Sequence, residues 1–382
     1  MSILFFGVPL DPDDREERCL IKRAYIYALI RGHVPTPNFL TPYEALMHYL
    51  QEIFVDPKFV KLGEIPVESW LRPKPSFRDL SMINPDTFSA FLAADCCRDY
   101  AEMVNIFVRR KVLPNKFVMI GVDHSSTGGC LKALTSFYGV EKIGVIILDS
   151  HFDAFHAKLG KSLFTYIKEH GIPAFMPHTN NFEGLLELDA PETYNSGSFL
   201  RYLLEERVIL PENVIVIGVA DYPSKGLEEI EDERVKKWVS EYRRFEREGV
   251  LILPRTRLKR EGMNPLKMAL NSLRTPFIYI SLDIDVMSFR EVYAARILNT
   301  IGLDPNEVYE ILEIIKKYII KKGIELVGFD LMEIDVHAAN AHLKNGIVDR
   351  TYDISKVVIR KIIDGMINGS FDEATGNVYQ KF

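Results

Sequence analysis

Cysteine is scarce in this chain and follows no pairing pattern. Cys19, Cys96, Cys97 and Cys130 form no C-x-x-C unit, and the adjacent Cys96-Cys97 is a poor metal motif. That argues against a disulfide scaffold and a thiolate metal site, and for buried thiols in a reducing cytoplasm. Long apolar runs are missing too, so no segment reads as a transmembrane helix. The opening Met1-Ser2-Ile3-Leu4-Phe5-Phe6 has no basic n-region and enters a strand, which excludes a signal peptide. There is no basic block: 47 basic residues face 53 acidic ones, so nucleic acid is not expected as a partner. The acidic run Glu228-Glu229-Ile230-Glu231-Asp232-Glu233 reads as a solvated helix start. No repeat or low-complexity linker divides the chain, and residues 1–382 read as one domain.

What is present is a large apolar fraction, 47%, ample for one core. Strand candidates near 3–8, 116–121, 143–149, 213–218, 250–253, 276–283 and 324–330 alternate with helical stretches at 87–111, 234–247, 305–321 and 354–367. Such alternation predicts an α/β fold, three layers deep, with a mostly parallel sheet covered on both faces. Two insertions interrupt it. Residues 20–85 carry a helical stretch at 42–54 and then an irregular segment with Trp70, Pro73 and Pro75. Residues 155–194 carry Pro173, Pro177, Asn180 and Asn181 after a helix. Both are candidates for lids or subunit contacts.

Three strand ends carry the chemistry. Ile143-Gly144-Val145-Ile146-Ile147-Leu148 runs into Asp149-Ser150-His151-Phe152-Asp153. Phe277-Ile278-Tyr279-Ile280-Ser281-Leu282 runs into Asp283-Ile284-Asp285. Lys116-Phe117-Val118-Met119-Ile120 runs into Gly121-Val122-Asp123-His124-Ser125. Alternation along a strand would turn Asp149, His151 and Asp153 to one side, and Asp283 with Asp285 likewise. Ligands collect at the carboxyl ends of such sheets. Four carboxylates and two imidazoles in one place would repel unless protons or cations intervened. Two divalent ions would neutralise the set. Oxygen and imidazole donors without thiolate favour manganese, with iron, cobalt or zinc as lesser choices. Each string alone has a bland reading: a strand-end Asp is often a helix cap, and a lone D-x-D recurs freely. Three such strings, each behind a strong strand, leave little room for that reading.

The same strings resemble the ureohydrolase superfamily of arginase, agmatinase and formiminoglutamase. Its GGDHS, DAHxD, SLDIDxxDP and E-[VI]-NP segments are matched in order by residues 121–125, 149–153, 281–286 and by Met332-Glu333-Ile334-Asp335-Val336. Phe5-Phe6-Gly7-Val8-Pro9-Leu10-Asp11 resembles the family's first strand. The resemblance implies an eight-stranded sheet and a binuclear manganese centre. One ion would take His124, Asp149, Asp153 and Asp283, the other Asp149, His151, Asp283 and Asp285, with Asp149 and Asp283 bridging. It implies a small-molecule substrate, C–N hydrolysis of a guanidino or amidino compound, a homo-oligomer, and Glu333 as partner of the substrate's cationic group. Rival readings are a formiminoglutamase-like or other amide hydrolase, and a metal-binding but inactive regulatory or assembly subunit. The single-zinc deacetylase branch is disfavoured by the six-ligand set.

The chain also departs from the pattern. The family's H-G segment, which supplies a proton-shuttling histidine, is matched by Asn195-Ser196-Gly197, with Ser196 at the histidine position. A hydroxyl cannot protonate a leaving amine near neutral pH as an imidazole does. His156, His170 and His178 are the candidates to replace it, each against the commoner reading of a solvent-facing structural residue. Asn195 and Ser196 then read as substrate-binding. Tyr293-Ala294-Ala295-Arg296-Ile297-Leu298-Asn299-Thr300 replaces a glycine-rich loop, and Arg296 is a candidate for an anionic substrate tail, against the alternative of a surface ion pair. Asp335-Val336 stands where Asn-Pro is usual.

Overall fold

A computed structural model describes residues 2–34, 36–171, 192–287, 289, 291–298, 302–343 and 346–368. Eight strands form one sheet: β1 (Ile3–Val8), β2 (Phe59–Glu64), β3 (Lys116–Gly121), β4 (Ile143–Leu148), β5 (Val214–Ile217), β6 (Leu251–Leu253), β7 (Phe277–Asp283) and β8 (Glu325–Met332). Their order is β2-β1-β3-β8-β7-β4-β5-β6. Every neighbouring pair is parallel.

The sheet is buried on both faces, which is why its strands are continuous apolar runs. Successive side chains of one strand go to two separate cores. Leu4, Phe6 and Val8 of β1 and Val145 and Ile147 of β4 pack with the helices Cys96–Phe107, Thr127–Tyr138 and Glu233–Glu248. Ile3 and Phe5 of β1 and Ile146 and Leu148 of β4 pack with Asn264–Ser272, Pro305–Lys322 and Thr351–Asn368 on the other side. That alternation makes the three layers. Helix ends are written locally: Asp304 and Glu307 form a capping box at the start of Pro305–Lys322, and Gly323, at φ 63°, ends it.

The segment 20–85 is less irregular than its composition predicts. It holds much of a helix, Glu16–Ile30, a second helix, Pro42–Tyr49, and the edge strand β2. β2 escapes detection because it is an edge strand of half-buried and exposed side chains, so it lacks the continuous apolar signal of its neighbours. The stretch 87–111 is two helices, Pro85–Ala93 and Cys96–Phe107, broken where Asp95 takes φ 58°. Of 155–194, the helix Ala157–His170 is seen; Pro173, Pro177, His178, Asn180 and Asn181 lie outside the described residues. No helix among the described residues is long and apolar enough to cross a membrane.

The strand order positions the chemistry. β3 and β4 are separated in the sheet by β8 and β7, which come last in sequence. Registers Ile120↔Leu331, Leu282↔Leu331 and Leu148↔Leu282 align the four carboxyl ends.

Candidate metal centre

The six residues predicted as ligands meet at this edge. Their side chains converge by a turn rather than by continued strand alternation, because β4 ends at Leu148 and β7 at Asp283. Each leading aspartate accepts the backbone N–H two residues on: Asp149 Oδ1 from His151 (2.7 Å), Asp283 Oδ1 from Asp285 (2.9 Å) and Asp123 Oδ1 from Ser125 (3.1 Å). These Asx turns fold residue i+2 back beside residue i. Asp153 and Glu333 hold left-handed backbone, φ 51° and 65°, which costs of order 1–3 kcal/mol each and clusters at functional positions.

His124 is fully buried and its tautomer is set from behind. Ser281 Oγ donates its one proton to Asp330 Oδ1 (2.6 Å), so it must accept from His124 Nε2–H (2.8 Å). Asp330 is held in turn by Thr127 Oγ1 (2.8 Å) and the Tyr279 hydroxyl. Nδ1 of His124 thus faces Asp153 Oδ2 at 3.0 Å and Asp149 Oδ2 and Asp283 Oδ2 at 3.3 Å. On the other side, His151 Nδ1 lies 2.9 Å from Asp285 Oδ2 and 3.7 Å from Asp149 Oδ1. The two oxygens of Asp149 therefore face different histidines.

The donor set fits divalent metal. Two groups of atoms close enough to share an ion are His124, Asp149 and Asp153, and Asp149, His151 and Asp285. Asp149 Oδ2 is buried with no hydrogen-bond partner among the described residues. No lysine or arginine among those residues pairs with any of the four aspartates. Burial, with Asp149 close by, pushes the Asp153 carboxyl well above the carboxylate range. Burial, with Asp285 and Asp149, does the same to Asp283. Burial opposes charge on His124, yet its contacts with Asp149, Asp153 and Asp283 outweigh that and raise it well above the usual imidazole range. Without cations, then, the cluster has to take up protons.

A cavity of about 270 Å³ opens over the cluster. Asp153, Asp283, Asp285 and His151 line it, together with the apolar Leu92, Phe155 and Trp238 and with Arg296 and Glu333. Asn195 and Ser196 also line it. Asn195 spends its side chain on its own loop, accepting from Gly197 N–H (3.1 Å) and donating to Thr193 O (3.0 Å). Of the three candidate replacement histidines, His156 lines the cavity, and its Nδ1 is buried without a hydrogen-bond partner among the described residues. Burial and the nearby Arg201 lower its pKa. His170 is exposed and stacked on Tyr166, and His178 lies outside the described residues.

Arg296 is buried rather than on the surface, and carboxylates surround it. Nη1 lies 3.1 Å from Asp123 and 3.2 Å from Glu333, Nε 3.2 Å from Asp11 and Nη2 3.5 Å from Asp13. A free guanidinium for a substrate tail, expected from sequence, is therefore not what the fold presents. Neighbouring acids have their own cations: Asp11 has Lys22 at 3.1 Å, Asp13 has Arg15, and Asp335 has Arg18 at 2.7 Å. This network went unforeseen; the only hint is the acidic run Asp11-Pro12-Asp13-Asp14 just past β1. Burial raises the Glu333 carboxyl to about 7, with Arg296 opposing and Asp123 reinforcing the rise. Asp221, also unforeseen, lines the cavity and accepts from the Tyr242 hydroxyl (2.7 Å); burial raises it to about 6.

The family model described as the Arginase family matches residues 41–348. Solved structures are similar along nearly the whole chain. Arginase from Bacillus cereus aligns with TM-score 0.53 at 16% identity, covering 96% of this chain and 98% of its own. Formimidoylglutamase from Bacillus subtilis gives 0.53 at 16%, covering 96% and 87%. Agmatine ureohydrolase from Thermoplasma volcanium gives 0.50 at 15%, covering 96% and 90%. At such identities the likeness shows a shared three-layer α/β fold. No match was found among the curated proteins.

Proposed function

The chain belongs to the arginase family, and on that footing we propose that it is a manganese-dependent hydrolase of a C–N bond at an sp² carbon in an amidino, guanidino or amide compound. The observation that carries the proposal is Asp149, a buried carboxylate with one oxygen toward His124 and the other toward His151, and no cation among the described residues to balance it. His124, Asp149, Asp153 and Asp283 would hold one ion, and Asp149, His151, Asp283 and Asp285 the other. Bound there, a divalent pair lowers the pKa of a water to near neutrality and balances the charge that develops in hydrolysis.

The chain's own residues do the rest. Asp330 and Ser281 keep the donor face of His124 pointed away from the cluster. Glu333, anchored to the His124 N–H at 3.0 Å, offers a carboxylate beside the reacting carbon. Leu92, Phe155 and Trp238 exclude water from the substrate's body. Of the described candidate histidines, His156 lines the cavity, which supports it, rather than the Ser196 hydroxyl, as the proton donor to the leaving nitrogen.

Metal counting on manganese-loaded protein, followed by a substrate panel read out as urea, ammonia or amine release, tests this. Close to two ions per chain and turnover of one compound class are expected. Failure to bind manganese would sink the proposal, and two ions without any turnover would favour the inactive-subunit reading. Free thiols at all four cysteines support a cytoplasmic location. The exposed Leu20, Tyr27 and Ile30 on the helix Glu16–Ile30 support self-association, which gel filtration checks.

A further inference from the structure

Glu333 borders the reaction cavity, but half of its carboxylate is already in use. Oε1 accepts from Arg296 Nη1 at 3.2 Å and from the His124 N–H at 3.0 Å. Oε2 is buried and has no hydrogen-bond partner among the described residues. Backbone pairing locks this arrangement. Arg296 N–H donates to Glu333 O (2.9 Å) and Asp335 N–H to Ala294 O (2.9 Å), on either side of an Ala295–Ile334 bridge. The Arg296 side chain is 5% exposed; Nη1 also reaches Asp123, and Nε and Nη2 face Asp11 and Asp13, which hold the guanidinium in place.

A carboxylate recognises a guanidinium best through two parallel N–H···O bonds, which use both oxygens. Glu333 has one to give. One open acceptor suits a single N–H, such as a carboxamide offers, and denies a guanidinium its paired bonds.

We infer that the substrate's reacting group is a carboxamide whose single N–H is received by Glu333 Oε2, and that Arg296, by holding Oε1, denies guanidinium compounds a paired contact with Glu333. The inference rests on the hydrolase reading above. In the reaction, the water oxygen bonds to the acyl carbon and the C–N bond breaks. Both water protons end on the nitrogen, and the products are a carboxylate and an ammonium ion. The apolar wall of Leu92, Phe155 and Trp238 favours an apolar group on the amide.

The test uses the full-length, manganese-loaded chain. Agmatine binding is measured by calorimetry, and turnover of agmatine is compared with that of N-acetylputrescine and an N-benzoyl amine. Expected are turnover of at least one amide, no measurable turnover of agmatine, and agmatine binding roughly 10–100-fold tighter in Arg296→Ala, where Oε1 is freed for a second charged hydrogen bond, than in wild type. Arg296→Lys, which keeps a donor for Oε1, should stay within a few-fold of wild type. Wild-type protein that binds or hydrolyses agmatine as well as its best amide overturns the inference. Should Arg296→Ala not fold, that wild-type comparison decides alone. If no compound is turned over while agmatine still discriminates between wild type and Arg296→Ala, the hydrolase reading fails and the selectivity stands.

Discussion

Two buried acid clusters contribute to the lining of one cavity. On the β4–β7 side, Asp149, Asp153, Asp283 and Asp285 have, among the described residues, only His124 and His151 as ion-pair partners. On the β1–β8 side, Asp11, Asp13, Asp123, Glu333 and Asp335 are interleaved with Arg15, Arg18, Lys22 and Arg296. Both are buried and rich in carboxylates. The difference is who supplies the positive charge: the first cluster needs it from outside the polypeptide, and the second carries its own. A group of buried carboxylates points to metal only when basic side chains are missing from it.

Removing an acid from each side should break the comparison most visibly at Asp149. Asp149→Ala or Asp283→Ala should take bound manganese from near two per chain to below one and abolish turnover, whereas Asp285→Ala should lose mainly one ion. Elemental analysis reads this directly; two ions retained in Asp149→Ala would mean that the residue does not bridge. In the other cluster, Lys22→Met takes one of two cations from buried Asp11, leaving Arg296 at 3.2 Å, and should cost less than the roughly 3–5 kcal/mol of a fully broken buried pair, about 2 kcal/mol of unfolding free energy. Because that cluster is self-neutralised, the loss should be equal in metal-loaded and chelator-stripped protein by denaturant titration. A loss seen only after stripping would mean the two clusters are not independent.

Smaller effects sharpen the contrast. Asp330→Asn leaves every ligand in place but weakens the hold on Ser281 and His124, so manganese affinity should fall about 10–100-fold with little change in ion count at saturation. Smallest of all, Ser196→Ala should change turnover less than about threefold, since general acid assistance worth about 10²–10⁴-fold cannot come from that hydroxyl. A hundredfold loss there would restore Ser196 to the chemistry and remove His156 from it.

The metal side was legible in the sequence because its strands are buried on both faces and its ligands are the strings that end them. His124, Asp149 and Asp283 could be placed by counting from the last apolar residue. What could not be read was partnership across the sheet. Nothing in the local sequence of Arg296 ties it to Asp11, Asp13 or Asp123; that requires β1, β3 and β8 to be neighbours, so the sequence left the guanidinium open between a substrate tail and a surface ion pair. β2 was passed over for a related reason: an edge strand with exposed side chains carries half the apolar signal of a central one. Asp221 sits past β5 in a stretch with no motif, and only the cavity reveals it.

The strand order also has a consequence for how the chain is made. β3 and β4 emerge early and must leave room between them for β7 and β8, which end at Asp283 and Met332, 135 and 184 residues after β4 ends at Leu148, roughly 7–40 s of synthesis at about 5–20 residues per second. During that interval two apolar strands with open edges wait for partners, a state prone to mispairing and aggregation. His124 and Asp149 cannot be brought to their working separation until the last strands wedge in. The centre is therefore completed by the final folding step, and a ribosome-bound fragment ending before β7 should neither capture manganese nor protect its half of the sheet from proteolysis.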